Sequence, residues 1–261
     1  MKKTFVIATV LILTLLGSSA SFAATLRVGA TPVPHAEILN VVVPILADAG
    51  IRLDIVEFTD YLTPNLALQE GELDANFFQH IPYLESFNED SGADLVALVG
   101  VHVEPLGIYS HRYTSLEALP TKATIAIPND VTNGGRALLL LQAAGLIALH
   151  PEAGSTPTVF DIRENKGQIR FVELEAAQLT RSLPDVDAAI INGNYALQAN
   201  LNPATDALFL EGAESPYVNI LAVRADDKDN PLLLKLAEAL ISVDVRDFII
   251  ETYDGSIVPV F

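Results

Sequence analysis

Between positions 75 and 84 the chain reads ANFFQHIPYL, with Phe77, Phe78, His80 and Tyr83 falling within seven positions. Aromatics are only 7% of the chain, so the cluster points to flat, polarisable walls for a ligand. Leu73 and Asp74 read as a strand entrance, and Pro82 is tolerated best just inside a new helix. The aromatics then sit at a strand end and the turn after it, where open α/β sheets bind ligands. The competing reading makes Phe77 and Phe78 core residues and His80 a satisfied turn histidine.

A cation follows in PNDVTNGGRALLLLQ. Asp130, Thr132 and Asn133 are N-cap types, and Gly134 and Gly135 would let a ligand approach the backbone at a helix start. Arg136 beside such a terminus could clamp a carboxylate through two parallel hydrogen bonds. Phosphate fits less well, because neither G-x-x-x-x-G-K-[ST] nor G-x-G-x-x-G occurs. Arg136 could equally pair with one of the many acidic side chains.

The elements that must carry these residues repeat. Apolar periodicity predicts strands over 26–30, 53–58 and 73–78 with helices over 36–49 and 64–71 between them. After a turn at Pro105 the same order returns: strand 124–127, helix 136–144, strand 169–174, helix 176–183, strand 186–191. Val56 and Glu57 echo Val172 and Glu173, and Leu73, Asp74 and Ala75 echo Val186, Asp187 and Ala188. Alternating strands and helices imply parallel βαβ units, hence two similar α/β lobes. An extended run over 216–223 returns the chain to the first lobe, and helices over 231–241 and 243–253 follow. Lobe 1 is thus expected to hold residues 24–104 and 220–261 and lobe 2 residues 105–219, joined by a hinge that the chain crosses twice. On this plan Asn192 takes the second lobe's counterpart of the Phe78 position, and Asn219 lies in the returning segment SPYVNI. An amide both donates and accepts, so each suits either end of a zwitterion, although each is also a common turn residue.

Lys2 and Lys3 precede an apolar run over 5–16 and small residues ending Ser21, Phe22, Ala23, which reads as a secretory signal over residues 1–23. Its removal takes the formal net charge from −18 to −20, which disfavours nucleic acid, anionic lipid and phosphate-rich partners. Cysteine is absent, so there is no disulfide framework, no thiol nucleophile and no lipid-accepting cysteine.

The strings VGATPVPHAEIL, FTDYLTPNLAL, LDANFFQHIPYL, IPNDVTNGGRALLLLQAAGLI, VELEAAQLTRSL and ESPYVNILAVR resemble the methionine-binding substrate-binding proteins of bacterial ABC importers, the NlpA/MetQ lipoprotein family. The resemblance implies an α/β protein with a type II periplasmic-binding-protein fold that closes on L-methionine. It makes Tyr61, Phe78, His80 and Tyr83 the side-chain pocket, Arg136 the carboxylate clamp, and Asn192 and Asn219 the remaining polar contacts. It also implies delivery to a methionine-importer permease with its cytoplasmic ATPase, and no cofactor. Members of the family usually carry a lipid-accepting cysteine after the signal. SSASFAAT has none, so a periplasmic or secreted protein without an evident lipid anchor is expected.

An enzyme would need an activated nucleophile or a metal. There is no G-x-S-x-G elbow, and His35, His80, His102, His111 and His150 show no close ligand spacing. A surface adhesin or sensor on the same fold remains a rival, as do D-methionine, a methionine-containing dipeptide or another apolar amino acid as ligand.

Overall fold

The computed structural model describes residues 24–212 and 215–261, so the expected signal over 1–23 lies outside the described residues. In chain order, β1 (Ala24–Ala30), α1 (Glu37–Asp48), β2 (Ile51–Glu57), α2 (Thr63–Gln69), β3 (Ala75–His80), α3 (Ile81–Ser91) and β4 (Leu95–Val103) come first. Then follow β5 (Gly107–Tyr109), β6 (Thr124–Pro128), α4 (Val131–Ala143), β7 (Ala148–Leu149), β8 (Ile162–Glu164), β9 (Arg170–Leu174), α5 (Leu179–Ser182), β10 (Ala188–Ile191), α6 (Gly193–Gln198), α7 (Pro203–Asp206) and β11 (Phe209–Leu210). The chain ends with β12 (Val218–Arg224), α8 (Pro231–Leu240), α9 (Val243–Tyr253) and β13 (Val258–Pro259).

One sheet has six strands in the order β13-β4-β12-β3-β1-β2, and another has five in the order β11-β5-β10-β6-β9. In the first, β3, β1 and β2 run parallel and β12 joins β3 antiparallel; in the second, β10, β6 and β9 run parallel and β5 joins β10 antiparallel. The two sheets thus share one plan, and the echoed aspartates have the same task in each. Asp74 Oδ2 accepts the Arg27 amide at 2.7 Å, and Asp187 Oδ2 accepts the Thr124 amide at 2.8 Å. Each carboxylate, just before β3 or β10, satisfies a backbone donor in the parallel neighbouring strand, β1 or β6.

Apolar side chains at helical spacing bury each sheet. In α1, Ile38, Leu39, Val42 and Leu46 face the six-stranded sheet, and Leu236 and Leu240 of α8 join the same core with Phe77. Leu138 and Leu141 of α4 pack with Ile125, Ile127 and Ile190 in the other lobe. Each such side chain contributes roughly 1.5–3 kcal/mol by leaving water.

Three of the expected boundaries that shift bear on the site. The strand expected over 73–78 lies at Ala75–His80, because Asp74 is occupied in its bond to Arg27 and the extended run continues to the residue that caps the next helix. The helix expected from residue 136 starts at Val131, since Asp130 accepts the Asn133 amide at 2.9 Å and caps it there. Returning strand β12 begins at Val218, so Asn219 belongs to the six-stranded sheet rather than to the five-stranded one.

Candidate functional site

The C-terminal end of β3 and the residues just after β10 line one cavity, and each strand is followed by a helix. His80 caps α3: its Nδ1 accepts the Tyr83 amide at 3.2 Å, and Pro82 sits in the first turn. Gly92, at φ +69, ends that helix in the left-handed conformation. Asn192 is the residue before α6, so by its place at a helix start it corresponds to His80 rather than to Phe78.

Between the lobes lies a cavity with about 320 Å³ of empty space, the solvent at its mouth included. All seven residues singled out in the sequence line it. Tyr61, Phe78, His80 and Tyr83 form one side, and Arg136, Asn192 and Asn219 contribute the rest. The Tyr61 ring stands 5.8 Å from Phe78 and 5.7 Å from Tyr83, so the three form a continuous aromatic wall. Phe77, by contrast, is fully buried in the lobe 1 core. The sequence reading missed Gln79, Glu104, Asn133, Gly193 and Asn194 as lining residues.

Asn133 is the hub of the polar side. With Nδ1 occupied as an acceptor, His80 carries its hydrogen on Nε2 and donates it to Asn133 Oδ1 at 3.1 Å. Asn192 Nδ2 donates to the same oxygen at 2.8 Å, while Asn133 Nδ2 donates to Asp130 at 2.9 Å. This fixes the orientation of Asn192 and leaves its Oδ1 buried without a partner among the described residues. Asn194 is fixed the opposite way: its Oδ1 accepts the Tyr61 hydroxyl at 2.6 Å, and its Nδ2 is buried without an acceptor among the described residues. Within a few residues the chain therefore presents one unused acceptor and one unused donor, the two functions that a zwitterion needs.

Arg136 is 3% exposed and sits in the second turn of α4, not at its start. Its Nε donates to Glu211 Oε1 at 3.0 Å, Nη2 donates to Glu211 Oε2, and Nη2 also donates to the Glu104 carbonyl at 2.8 Å. The Tyr217 ring covers the guanidinium at 4.1 Å. The expectation of an acidic side-chain partner thus holds for one edge, and Arg136 still lines the cavity. Gly134 and Gly135 serve packing: a Cβ on Gly135 would fall 2.7 Å from Thr156 Cα, and one on Gly134 would fall 2.9 Å from the Pro128 carbonyl. They bring the helix close to its neighbours rather than opening the backbone to a ligand.

The histidine spacing that looked uninformative conceals a cluster. His35, His102 and Glu104 bring one ligating atom each within 4.8 Å of one another. Protein partners already occupy these atoms: His102 Nε2 bonds Glu104 Oε1 at 2.8 Å, and His35 Nε2, 3.2 Å from the same oxygen, bonds Asn219 Oδ1 at 3.2 Å.

Burial sets the charge states. It lowers the His80 pKa to about 3, helped by the nearby Arg136 charge, and raises that of Glu104. A histidine at about 3 when folded and 6.5 when unfolded takes up its proton only in the unfolded chain between those values. The stability it contributes is complete above pH 6.5 and is lost as pH falls toward 3, by roughly 3–5 kcal/mol. The melting temperature is therefore expected to fall over that window. His80→Gln, which keeps a donor and an acceptor, should flatten the fall; superimposable pH profiles for parent and variant would contradict this.

The chain matches the NlpA lipoprotein family over residues 26–261. The D-methionine-binding lipoprotein MetQ of Escherichia coli strain K12 is 44% identical over 211 residues, 80% of this chain and 78% of that one. The methionine-binding lipoprotein MetQ of Bacillus subtilis strain 168 is 43% identical over 239 residues, 89% of this chain and 87% of that one. A crystallised nutrient binding protein from Burkholderia cenocepacia bound to methionine superposes with a TM-score of 0.88 at 46% identity, covering 90% of this chain and 100% of that one. With two lobes of one plan enclosing a cavity, and with these matches along nearly its whole described length, the chain has the type II periplasmic-binding-protein fold and belongs to the NlpA lipoprotein family.

Proposed function

We propose that this protein captures L-methionine between its two lobes outside the cytoplasm, in a periplasmic or secreted form, and hands it to the permease of an ABC importer driven by a cytoplasmic ATPase. The observation that carries the reading is the cavity itself: aromatic rings on one side and, on the other, Arg136 with the unused amide atoms of Asn192 and Asn194. A thioether against aromatic rings gains about 0.3–1.5 kcal/mol beyond plain burial. A carboxylate leaving water needs a charge-assisted partner, which Arg136 supplies. The relatives named for methionine and the Burkholderia protein bound to it support this choice of ligand.

Native mass spectrometry of protein purified without unfolding tests the reading directly. A retained mass of one methionine is expected, and calorimetry on stripped protein should rank L-methionine above D-methionine, methionine-containing dipeptides and other apolar amino acids. A dipeptide or D-methionine binding more tightly than L-methionine would overturn the assignment. Phe78→Ala and Tyr83→Ala should each weaken methionine by roughly 1–4 kcal/mol with secondary structure unchanged. Variants that unfold while the folded fraction keeps its affinity would make both rings core residues.

A further inference from the structure

Glu104 is the residue after β4, at the first crossing between lobes, and it lines the cavity while only 5% exposed. Its carboxylate receives hydrogen bonds from neutral donors. His102 Nε2 donates to it at 2.8 Å and the Asn194 backbone amide donates as well, while His35 Nε2 lies 3.2 Å away and gives its hydrogen to Asn219 Oδ1, also at 3.2 Å. Both imidazoles are uncharged, because burial holds their pKa values at about 3 for His102 and about 4 for His35. The Thr31 hydroxyl, 2.7 Å from His35 Nδ1, donates there and keeps the His35 hydrogen on Nε2. Keeping the His102 hydrogen on Nε2 has a cost: its Nδ1 is buried with no partner among the described residues. One histidine thus donates to the carboxylate, and the other packs beside it and ties Asn219 to the same cluster.

Among the described residues that carboxylate forms no ion pair with an arginine or lysine. The nearby guanidinium of Arg136 gives its Nε and Nη2 hydrogens to the Glu211 side chain and the Glu104 backbone carbonyl, not to the Glu104 side chain. Burial raises the Glu104 pKa, and the neighbouring His35, the Asn194 amide and the Arg136 charge offset only part of that rise. A buried anion supplied only by neutral donors remains costly until a cation joins it. On the opposite lobe, the unused acceptor Asn192 Oδ1 belongs to the same cavity wall. Two acceptors from different lobes, one of them charged, match a group that carries positive charge and several hydrogens. A primary ammonium is such a group, whereas a hydroxyl, an amide or a metal ion lacks one of those properties.

We propose that Glu104 is the specificity-determining residue for the protonated α-amine of the ligand, with Asn192 Oδ1 taking a second ammonium hydrogen. The inference rests on the amino-acid-binding reading above and narrows it: the site takes free amino acids with an unblocked, charged amine and rejects isosteres in which a hydroxyl replaces it.

The test uses full-length exported protein, stripped of ligand, and two compounds that differ only at that group: methionine and its α-hydroxy analogue, 2-hydroxy-4-(methylthio)butanoate. The parent should prefer methionine by about 100-fold or more. Glu104→Gln should lower methionine affinity by at least about 10-fold and that of the hydroxy analogue by no more than about 3-fold, so the preference collapses. Equal losses for both compounds would make Glu104 a structural residue and overturn the proposal, as would unchanged methionine affinity. If the variant fails to fold, the parent decides: binding the hydroxy analogue within about 3-fold of methionine overturns the proposal. A parent that binds neither methionine nor any other free amino acid overturns the function reading itself, an outcome distinct from lost selectivity.

Discussion

Arg136→Ala is expected to abolish methionine binding in a protein that still folds. Glu211 and the Glu104 carbonyl occupy Nε and Nη2, and Tyr217 covers one face. Among the described residues no hydrogen bond is made by Nη1, which leaves that nitrogen to serve a carboxylate entering the cavity. In this arrangement Glu211 orients the guanidinium from behind, and the ligand meets it from the cavity side. Removing the arginine leaves the bound carboxylate desolvated and poorly paired, a loss of about 3–5 kcal/mol, or two orders of magnitude and more in affinity. The variant also strands Glu211, but that side chain is 17% exposed and reaches water, so the fold should survive with a lowered melting temperature. Calorimetry on the folded variant decides the matter. Affinity within about threefold of the parent, some 0.7 kcal/mol, would reduce Arg136 to a structural partner of Glu211.

What was legible in the sequence is what short-range physics controls. The helix over 231–241 and the one over 243–253 were found within a residue, because Asn230 and Ser242 cap them and their apolar faces repeat at helical spacing. The repeat was legible as faint strings, and the shared Asp74 and Asp187 proved to be its strongest element, since each makes the same backbone contact in its own sheet. The start of α4 was misplaced although Asp130 was recognised as a capping type, because Gly134 and Gly135 resemble helix breakers until their close packing against Pro128 and Thr156 is seen. The seven ligand candidates converge on one cavity, and His80, Tyr83 and Asn192 reach it from strand ends and helix starts, where the sequence carries local signals. Glu104, Asn133 as a bridge, and Asn194 act through partners far away in sequence. Glu104 meets His35 across 69 positions, and Asn133 meets His80 across 53. No local pattern announces such contacts; only the juxtaposition of two sheets produces them.

That juxtaposition carries the second large expectation, which concerns motion. Direct bonds between the lobes around the cavity are polar: Tyr61 to Asn194 at 2.6 Å, Tyr195 to the Thr59 carbonyl at 3.1 Å, His80 to Asn133 at 3.1 Å, Arg136 Nη2 to the Glu104 carbonyl at 2.8 Å, and the Asn194 amide to the Glu104 side chain. Each adds on the order of 1 kcal/mol net, which a hinge crossed twice by the chain can open without disturbing either core. A ligand held by aromatic rings on one lobe and by Arg136 and Asn192 on the other binds the closed form better than the open one, so it shifts the population toward closure. Stripped protein should therefore show a larger radius of gyration in solution scattering than protein saturated with methionine. Its melting temperature should rise with ligand concentration, by roughly 10 °C at a thousandfold excess over Kd. Arg136→Ala should lose both responses, whereas a surface substitution remote from the cavity should keep them. Tight binding without compaction would mean either that the stripped protein is already closed or that the site is confined to one lobe. A crystal structure of the stripped form separates these cases, because only the first retains the Tyr61–Asn194 and His80–Asn133 bonds across the cleft.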